Sequence, residues 1–208
     1  MTETIGLVVA AYVLGSVPFG FMIARAGGVD LRQVGSGNIG STNVYRALGL
    51  KIALLVFALD ACKGLIATII FPMLASARGS SVHLGLVCGI AVTLGSVAGV
   101  FMRFRGGKGV ATAVGVFMGL VPLATAICLA LWIVLVGVFK YVSLGSLCGA
   151  IALPILVAVF DREGTASNPV FYLSVAIAAL VVVRHRSNIK RLLSGTENRI
   201  GRLEERTK

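Results

Sequence analysis

Long apolar runs alternate with short polar segments along this 208-residue chain. The runs cover Ile5 to Ala26, Ile52 to Ala75, Val82 to Met102, Val110 to Phe139, Val142 to Phe160 and Pro169 to Val183. A helix needs about 20 apolar residues to cross a bilayer, and inside lipid every backbone polar group must be satisfied within the structure. The pattern therefore predicts an all-α, polytopic integral membrane helical bundle. The first run has no basic residue before it and no small-residue cleavage pattern after it, so it reads as a retained helix and not a signal peptide. The run from Val110 to Phe139 is too long for one untilted crossing and carries Gly119 and Pro122. Split there, it gives about seven transmembrane helices, some of them short.

Charge supports the split. With it, the three polar segments described below and Lys140 share one face, while Arg78, Arg162, Asp161 and Glu163 lie on the other. Only two basic residues then fall on the far side, as the positive-inside rule demands. The expected topology has the N-terminus outside and the C-terminus in the cytoplasm. One membrane-embedded domain spans 1–208, ending in a basic cytoplasmic tail at 199–208.

With 57% hydrophobic and 13% charged residues, and a mean hydropathy of +0.97, the chain is not a soluble globular domain. A net charge of +11 would suggest nucleic acid in a soluble protein. Here basic cytoplasmic loops facing anionic headgroups account for it, so the expected partner is the lipid bilayer and not nucleic acid. Cys62, Cys88, Cys128 and Cys148 all sit in apolar runs without Cys-x-x-Cys spacing, and read as small core residues. No metal and no cofactor is expected. The glycines read as helix-packing residues, as at Gly85/Gly89 and Gly145/Gly149. Asp60 and Lys63, three apart inside an apolar run, should pair within the bundle, either to fix helix position or to act in catalysis.

Three polar segments carry the candidate chemistry. The first, Gly35-Ser-Gly-Asn-Ile-Gly-Ser-Thr-Asn-Val-Tyr-Arg46, is rich in hydrogen-bond donors and ends on a fixed positive charge. It has no carboxylate, histidine or cysteine, so it suits an anion and not a metal; a flexible interhelical loop is the alternative. The second, Arg103-Phe-Arg-Gly-Gly-Lys-Gly-Val-Ala-Thr112, places glycine amides and a helix N-terminus beside Lys108, as a phosphate cradle requires. It lacks the order of a Walker A motif. A basic cytoplasmic loop would explain Arg103 and Arg105 but not the glycines. The third begins Arg184-His-Arg-Ser-Asn-Ile-Lys-Arg191 and continues through Gly195-Thr-Glu197; His185 and Asn188 share one helical face.

Taken together, these segments resemble the acyl-phosphate:glycerol-3-phosphate acyltransferase family of bacterial membranes. The resemblance also covers Gly15-Ser-Val-Pro-Phe-Gly20 and Leu59-Asp-Ala-Cys-Lys-Gly64, and so runs essentially end to end. It departs from the family at Ser96 and Gly99, where members typically carry His and Pro. The resemblance implies acyl transfer from a fatty acyl phosphate to glycerol 3-phosphate, giving lysophosphatidic acid and phosphate at the cytoplasmic face of the inner membrane. The enzyme that makes acyl phosphate is an expected partner. Carried over by motif, Ser36, Arg46, Lys108, His185 and Asn188 are the catalytic set. Gly35, Gly37, Asn38, Thr42, Asn43, Gly106, Gly107, Gly109, Thr112, Arg186 and Glu197 are the substrate-binding set, Glu197 by tying the third segment to a basic neighbour. An acyl phosphate is a mixed anhydride with a good leaving group, so no acyl-enzyme is needed. The base is either neutral His185 or the substrate's own phosphate, and the scarcity of carboxylates to orient His185 favours the phosphate.

A phosphate or organophosphate transporter is the alternative. It would need charges at the bilayer midplane in repeated halves, and no internal repeat is visible. A coenzyme-A-dependent acyltransferase of the His-x-x-x-x-Asp type is excluded, since neither His83 nor His185 has Asp five residues on. A metal-dependent phosphatidyl transferase would need clustered aspartates, and the acids here are scattered.

Overall fold

The computed structural model describes residues 2–75, 82–161 and 168–200. Arg78, Arg162, Glu163 and positions 201–208 of the expected tail lie outside the described residues. All regular elements among the described residues are helical, and they fall into two compact units, Met1–Pro122 and Leu123–Lys208.

In the first unit, α1 (Thr2–Ser16) stops where Pro18 removes a backbone donor, and α2 (Phe19–Ala26) resumes directly. The first polar segment leads into α3 (Ser41–Leu48). The helix α4 (Leu50–Leu65) runs through a π-helical turn at Ile66–Ile70 into α5 (Phe71–Ala75). After α6 (Val82–Val97) a 3₁₀ turn at Val100–Met102 leads to the second polar segment and α7 (Val110–Leu120). The chief packing pairs are α1 on α6 and α4 on α7. Both are backbone-close. A methyl on Gly15 would strike the Val92 carbonyl and one on Gly95 the Tyr12 carbonyl. Likewise, Gly64 faces the Thr112 carbonyl and Gly115 the Ala61 carbonyl. Such approach suits helix association in lipid, where side-chain burial gives little driving force. Gly85 and Gly89 do pack, against Thr68 of the π-helical turn.

The second unit contains α8 (Pro122–Phe139), α9 (Val142–Phe160), α10 (Pro169–Arg184) and α11 (Arg186–Leu193). Gly145 admits Trp132 and Val136, and the Trp132 indole N–H donates to Ser146 Oγ at 3.3 Å. Asn168 caps α10 by accepting from the Val170 amide, with Pro169 in the first turn where its missing N–H costs nothing. It also donates to Asp161 at 3.0 Å.

The expected division of the 110–139 run is present, at Val121 between α7 and α8. Among the described residues, five helical stretches are long and apolar enough to cross a membrane, and six if α10 and α11, bent by 61°, are one broken span. The short one is α7, about 16 Å long at 1.5 Å per residue. Cys62 departs from the core reading, since it is exposed, while Cys88 is buried and Cys128 and Cys148 are half-buried.

The glycine contacts give a matched test. Gly115→Ala places its new carbon on the Ala61 carbonyl, whereas Gly137→Ala meets nothing within 4 Å. Thermal unfolding in detergent should show Gly115→Ala destabilised by about 1–3 kcal/mol. Gly137→Ala should be neutral or slightly stabilised, by up to about 1 kcal/mol, from helix propensity.

Candidate active site

The first polar segment is built from within. Arg32 grips Asp30 through its side chain (2.7 and 3.0 Å) and its amide (3.0 Å), which holds the half-buried Asp30 carboxyl down at about 2. Asn43 is 1% exposed and knits the loop together. Its oxygen accepts the Ser36 amide at 3.0 Å, and its nitrogen donates to the carbonyls of Leu31 and Val34, each at 3.0 Å. Leu31 and Val44 are buried beneath, in a small core with Ala24, Ala53 and Val56. Gly35 takes a left-handed φ of +56° and lies so close to Asn43 Oδ1 that a side chain there would collide with it; the stem of Arg46 lies alongside. Asn38 Oδ1 accepts the Gly40 amide at 2.9 Å. Around this frame Gly35, Ser36 and Gly37 are exposed and Asn38, Thr42 and Arg46 half-buried. Asn43 is thus the scaffold of the segment.

The second segment is an extension of the end of α6. The Gly106 amide donates to the Val97 carbonyl and the Gly107 amide to that of Ser96, both at 3.0 Å. These two amides therefore cap α6. The amides that a cradle would use lie further on, in the first turn of α7, where helix geometry provides no carbonyl for them. Gly109 opens that helix with φ +77°, beside the half-buried Lys108. Thr112 is buried and donates to Ser96 Oγ at 3.0 Å. Ser96 thus clamps the loop with its carbonyl and its hydroxyl. Gly99 leaves the helix in an extended conformation against Ser16, so close that even a methyl there would crowd it. The two segments are neighbours: a carbon built on Gly107 would stand 3.8 Å from Asn38 Oδ1.

In the second unit His185 sits at the bend between α10 and α11, buried, with Nδ1 2.8 Å from the Val181 carbonyl. A carbonyl only accepts, so Nδ1 carries a proton. Asn188, one turn on, donates to Glu197 Oε1 at 2.7 Å. Ser143 of α9 donates to the same oxygen at 2.9 Å, and Arg191 pairs with Oε2 at 2.8 Å. Burial works to raise the Glu197 carboxyl, but the bonds from Asn188, Arg191 and Ser143 outweigh it and hold the group below its usual range. Glu197 thus joins α11 to α9. Arg186 is exposed, on the face of α11 away from His185 and Asn188. Ser143 has a role that is not legible in the sequence. It is one serine at the start of an apolar run, with no spacing to single it out.

The glycerol-3-phosphate acyltransferase family matches residues 5–195. A protein of Geotalea daltonii named glycerol-3-phosphate acyltransferase is 48% identical over 95% of this chain and 98% of its own length. The crystal structure of PlsY, an integral membrane glycerol 3-phosphate acyltransferase, in its glycerol 3-phosphate form, matches 97% of both chains at 42% identity with a TM-score of 0.84. Its lysophosphatidic acid form matches 97% of both chains at 41% identity with a TM-score of 0.79. Such similarity, end to end and in three dimensions, settles the family, and this chain belongs to the glycerol-3-phosphate acyltransferases.

Proposed function

We propose that the protein transfers a fatty acyl group from acyl phosphate to a hydroxyl of glycerol 3-phosphate, releasing lysophosphatidic acid and inorganic phosphate. The observation that carries this reading is the adjacency of two glycine-rich cationic segments, one bearing Arg46 and the other Lys108. Both substrates bring phosphate, and two fixed cations in a low-dielectric surface are what two phosphates need. Ser36, Asn38, Thr42 and the glycines Gly35, Gly37 and Gly109 supply further donors and close backbone approach. Asn43, Thr112, Gly106 and Gly107 shape these loops, and Glu197 shapes the His185–Asn188 turn. Arg186, on the opposite face, offers the acyl phosphate only long-range attraction.

In the reaction the glycerol oxygen attacks the acyl carbonyl carbon. The new ester bond forms as the bond from that carbon to the phosphate oxygen breaks, and phosphate leaves with the electron pair. The hydroxyl proton passes to a phosphate oxygen. A neutral His185, with its lone pair on Nε2, accepts a hydrogen bond from the hydroxyl and orients it, and Asn188 supports that orientation. No enzyme nucleophile is required. The site faces the cytoplasm of the inner membrane, where the enzyme making acyl phosphate can supply it.

Purified protein given acyl phosphate or acyl-coenzyme A, with glycerol 3-phosphate, should form lysophosphatidic acid only from the acyl phosphate, as read by mass spectrometry. Uptake of glycerol 3-phosphate into proteoliposomes without acyl donor would instead favour the transporter. Lys108→Ala and Arg46→Ala should each lower turnover by about 100-fold or more while the protein still inserts, in line with losing one charge-stabilising donor. Arg46→Lys should recover only part of the loss, because an ammonium cannot grip phosphate through two parallel bonds.

The proton acceptor is separable by a pH–rate profile at saturating substrates. With phosphate as base, the fall in rate on the acid side belongs to the substrate and survives in His185→Gln. A His185→Gln profile flattened below neutrality would assign the base to histidine. Sidedness follows from labelling in a cysteine-free background. Lys140→Cys should react from the cytoplasmic side and Glu163→Cys from the outer side; reaction of both from one side would break the topology.

A further inference from the structure

Lys63 lies deep in the first unit, 3% exposed, and the mechanism above does not use it. Its ammonium donates to Asp60 Oδ1 at 2.8 Å, to the Gly15 carbonyl at 3.2 Å and to the Val17 carbonyl at 3.1 Å. The Phe19 ring lies over it, with its centroid at 5.5 Å. An ammonium has three hydrogens, and each has an acceptor. A group so engaged does not shuttle protons. It holds things in place.

What it holds is the break between α1 and α2. Pro18 offers no N–H, so the Leu14 carbonyl takes the Val17 amide instead. The Phe19 amide, which would have closed a turn onto Gly15, bonds to Val17. The Gly15 carbonyl has thereby lost its helical donor, and Lys63 replaces it. In a bilayer such a carbonyl has no water to fall back on. A cation at the end of α1 also complements the partial negative charge there.

From this point the chain reaches both phosphate segments by direct contact. One residue beyond Phe19, Gly20 packs so tightly on the Ile39 carbonyl of the first segment that no side chain fits between them. Next to Lys63, Gly64 presses equally closely on the Thr112 carbonyl, in the first turn of α7 behind Lys108. We propose that Lys63 is a positioning residue for the acyltransferase reaction: by tying the α1–α2 break to α4, it sets the spacing of the Arg46 and Lys108 segments and hence the affinity for glycerol 3-phosphate. Asp60 serves it as an anchor. The proposal rests on the acyltransferase reading for its substrate and on the contacts above for its geometry.

The test combines binding of glycerol 3-phosphate by calorimetry with steady-state turnover from acyl phosphate, on wild type, Lys63→Met and Lys63→Gln. Lys63→Met, which has no donors, should weaken Kd and raise KM for glycerol 3-phosphate at least tenfold. Lys63→Gln retains an amide donor for the freed carbonyls, should weaken both about three- to tenfold, and covers the case in which the methionine variant does not fold. In both variants the shape of the pH–rate profile should match wild type, because no proton passes through Lys63. A folded variant with wild-type Kd and KM would overturn the proposal. So would loss of a limb of the pH profile at unchanged KM, which would make Lys63 part of a proton path. Wild-type protein that binds glycerol 3-phosphate but makes no lysophosphatidic acid would refute the acyltransferase reading alone, since the Kd comparison still tests the linkage.

Discussion

A helix interrupted inside a membrane releases carbonyl groups that water cannot reach, and each must find a donor from the protein itself. This requirement accounts for many of the polar residues in the chain. At the α1–α2 break Lys63 supplies the donors. At the end of α6 the carbonyls of Ser96, Val97 and Ala98 are taken by the Gly107 amide, the Gly106 amide and the Tyr12 hydroxyl. At the α10–α11 bend His185 Nδ1 adds a second donor to the Val181 carbonyl, which also takes the His185 amide. In the loop after α2, outside any helix, Asn43 likewise donates to the carbonyls of Leu31 and Val34, the latter shared with the Gly37 amide. The breaks are where the chain can turn side chains and loops toward a polar ligand, so residues that repair them are placed beside the candidate binding residues.

That dual use explains what could be read in one dimension. The helical bundle and the division at Val121 follow from run length and from Gly119 and Pro122, both local signals. The Asp60–Lys63 pair follows from spacing and the cost of a lone charge in lipid. What one dimension does not carry is which member of a polar segment faces inward. Asn43 and Ser36 look alike as loop donors, yet one is buried scaffold and the other is exposed. Gly106 and Gly107 look like cradle amides and cap a neighbouring helix. Tight glycine contacts such as Gly15 with Gly95 and Gly64 with Gly115 join distant parts of the chain, and although Gly95/Gly99 and Gly115/Gly119 have four-residue spacing, the spacing does not say which helix each will meet.

The departure at Ser96 and Gly99 is intelligible on the same terms. Proline is one way to stop a helix; here α6 stops because its last carbonyls are drawn to the glycine loop and to Tyr12. Gly99 leaves in an extended conformation with Ser16 against it, in a space too tight for a larger residue without movement of α1. Ser96 in place of a histidine keeps a small hydroxyl against Thr112. The Lys108 loop therefore hangs on backbone hydrogen bonds more than on side-chain identity at this point.

A site made this way suits its chemistry. In the proposed reaction acyl phosphate carries its own activation, so the protein need not raise a nucleophile or hold a metal. It needs charges fixed at the right separation while the hydroxyl approaches the carbonyl. Fixed charge is costly to keep in place at a membrane unless its support is rigid. Backbone-to-backbone packing through glycine, and carbonyls tied by buried Lys and Asn side chains, are among the stiffest supports a helical membrane protein can build. On the proposed reaction, the rigidity that satisfies the lipid environment is thus the same rigidity that preorganises the cations.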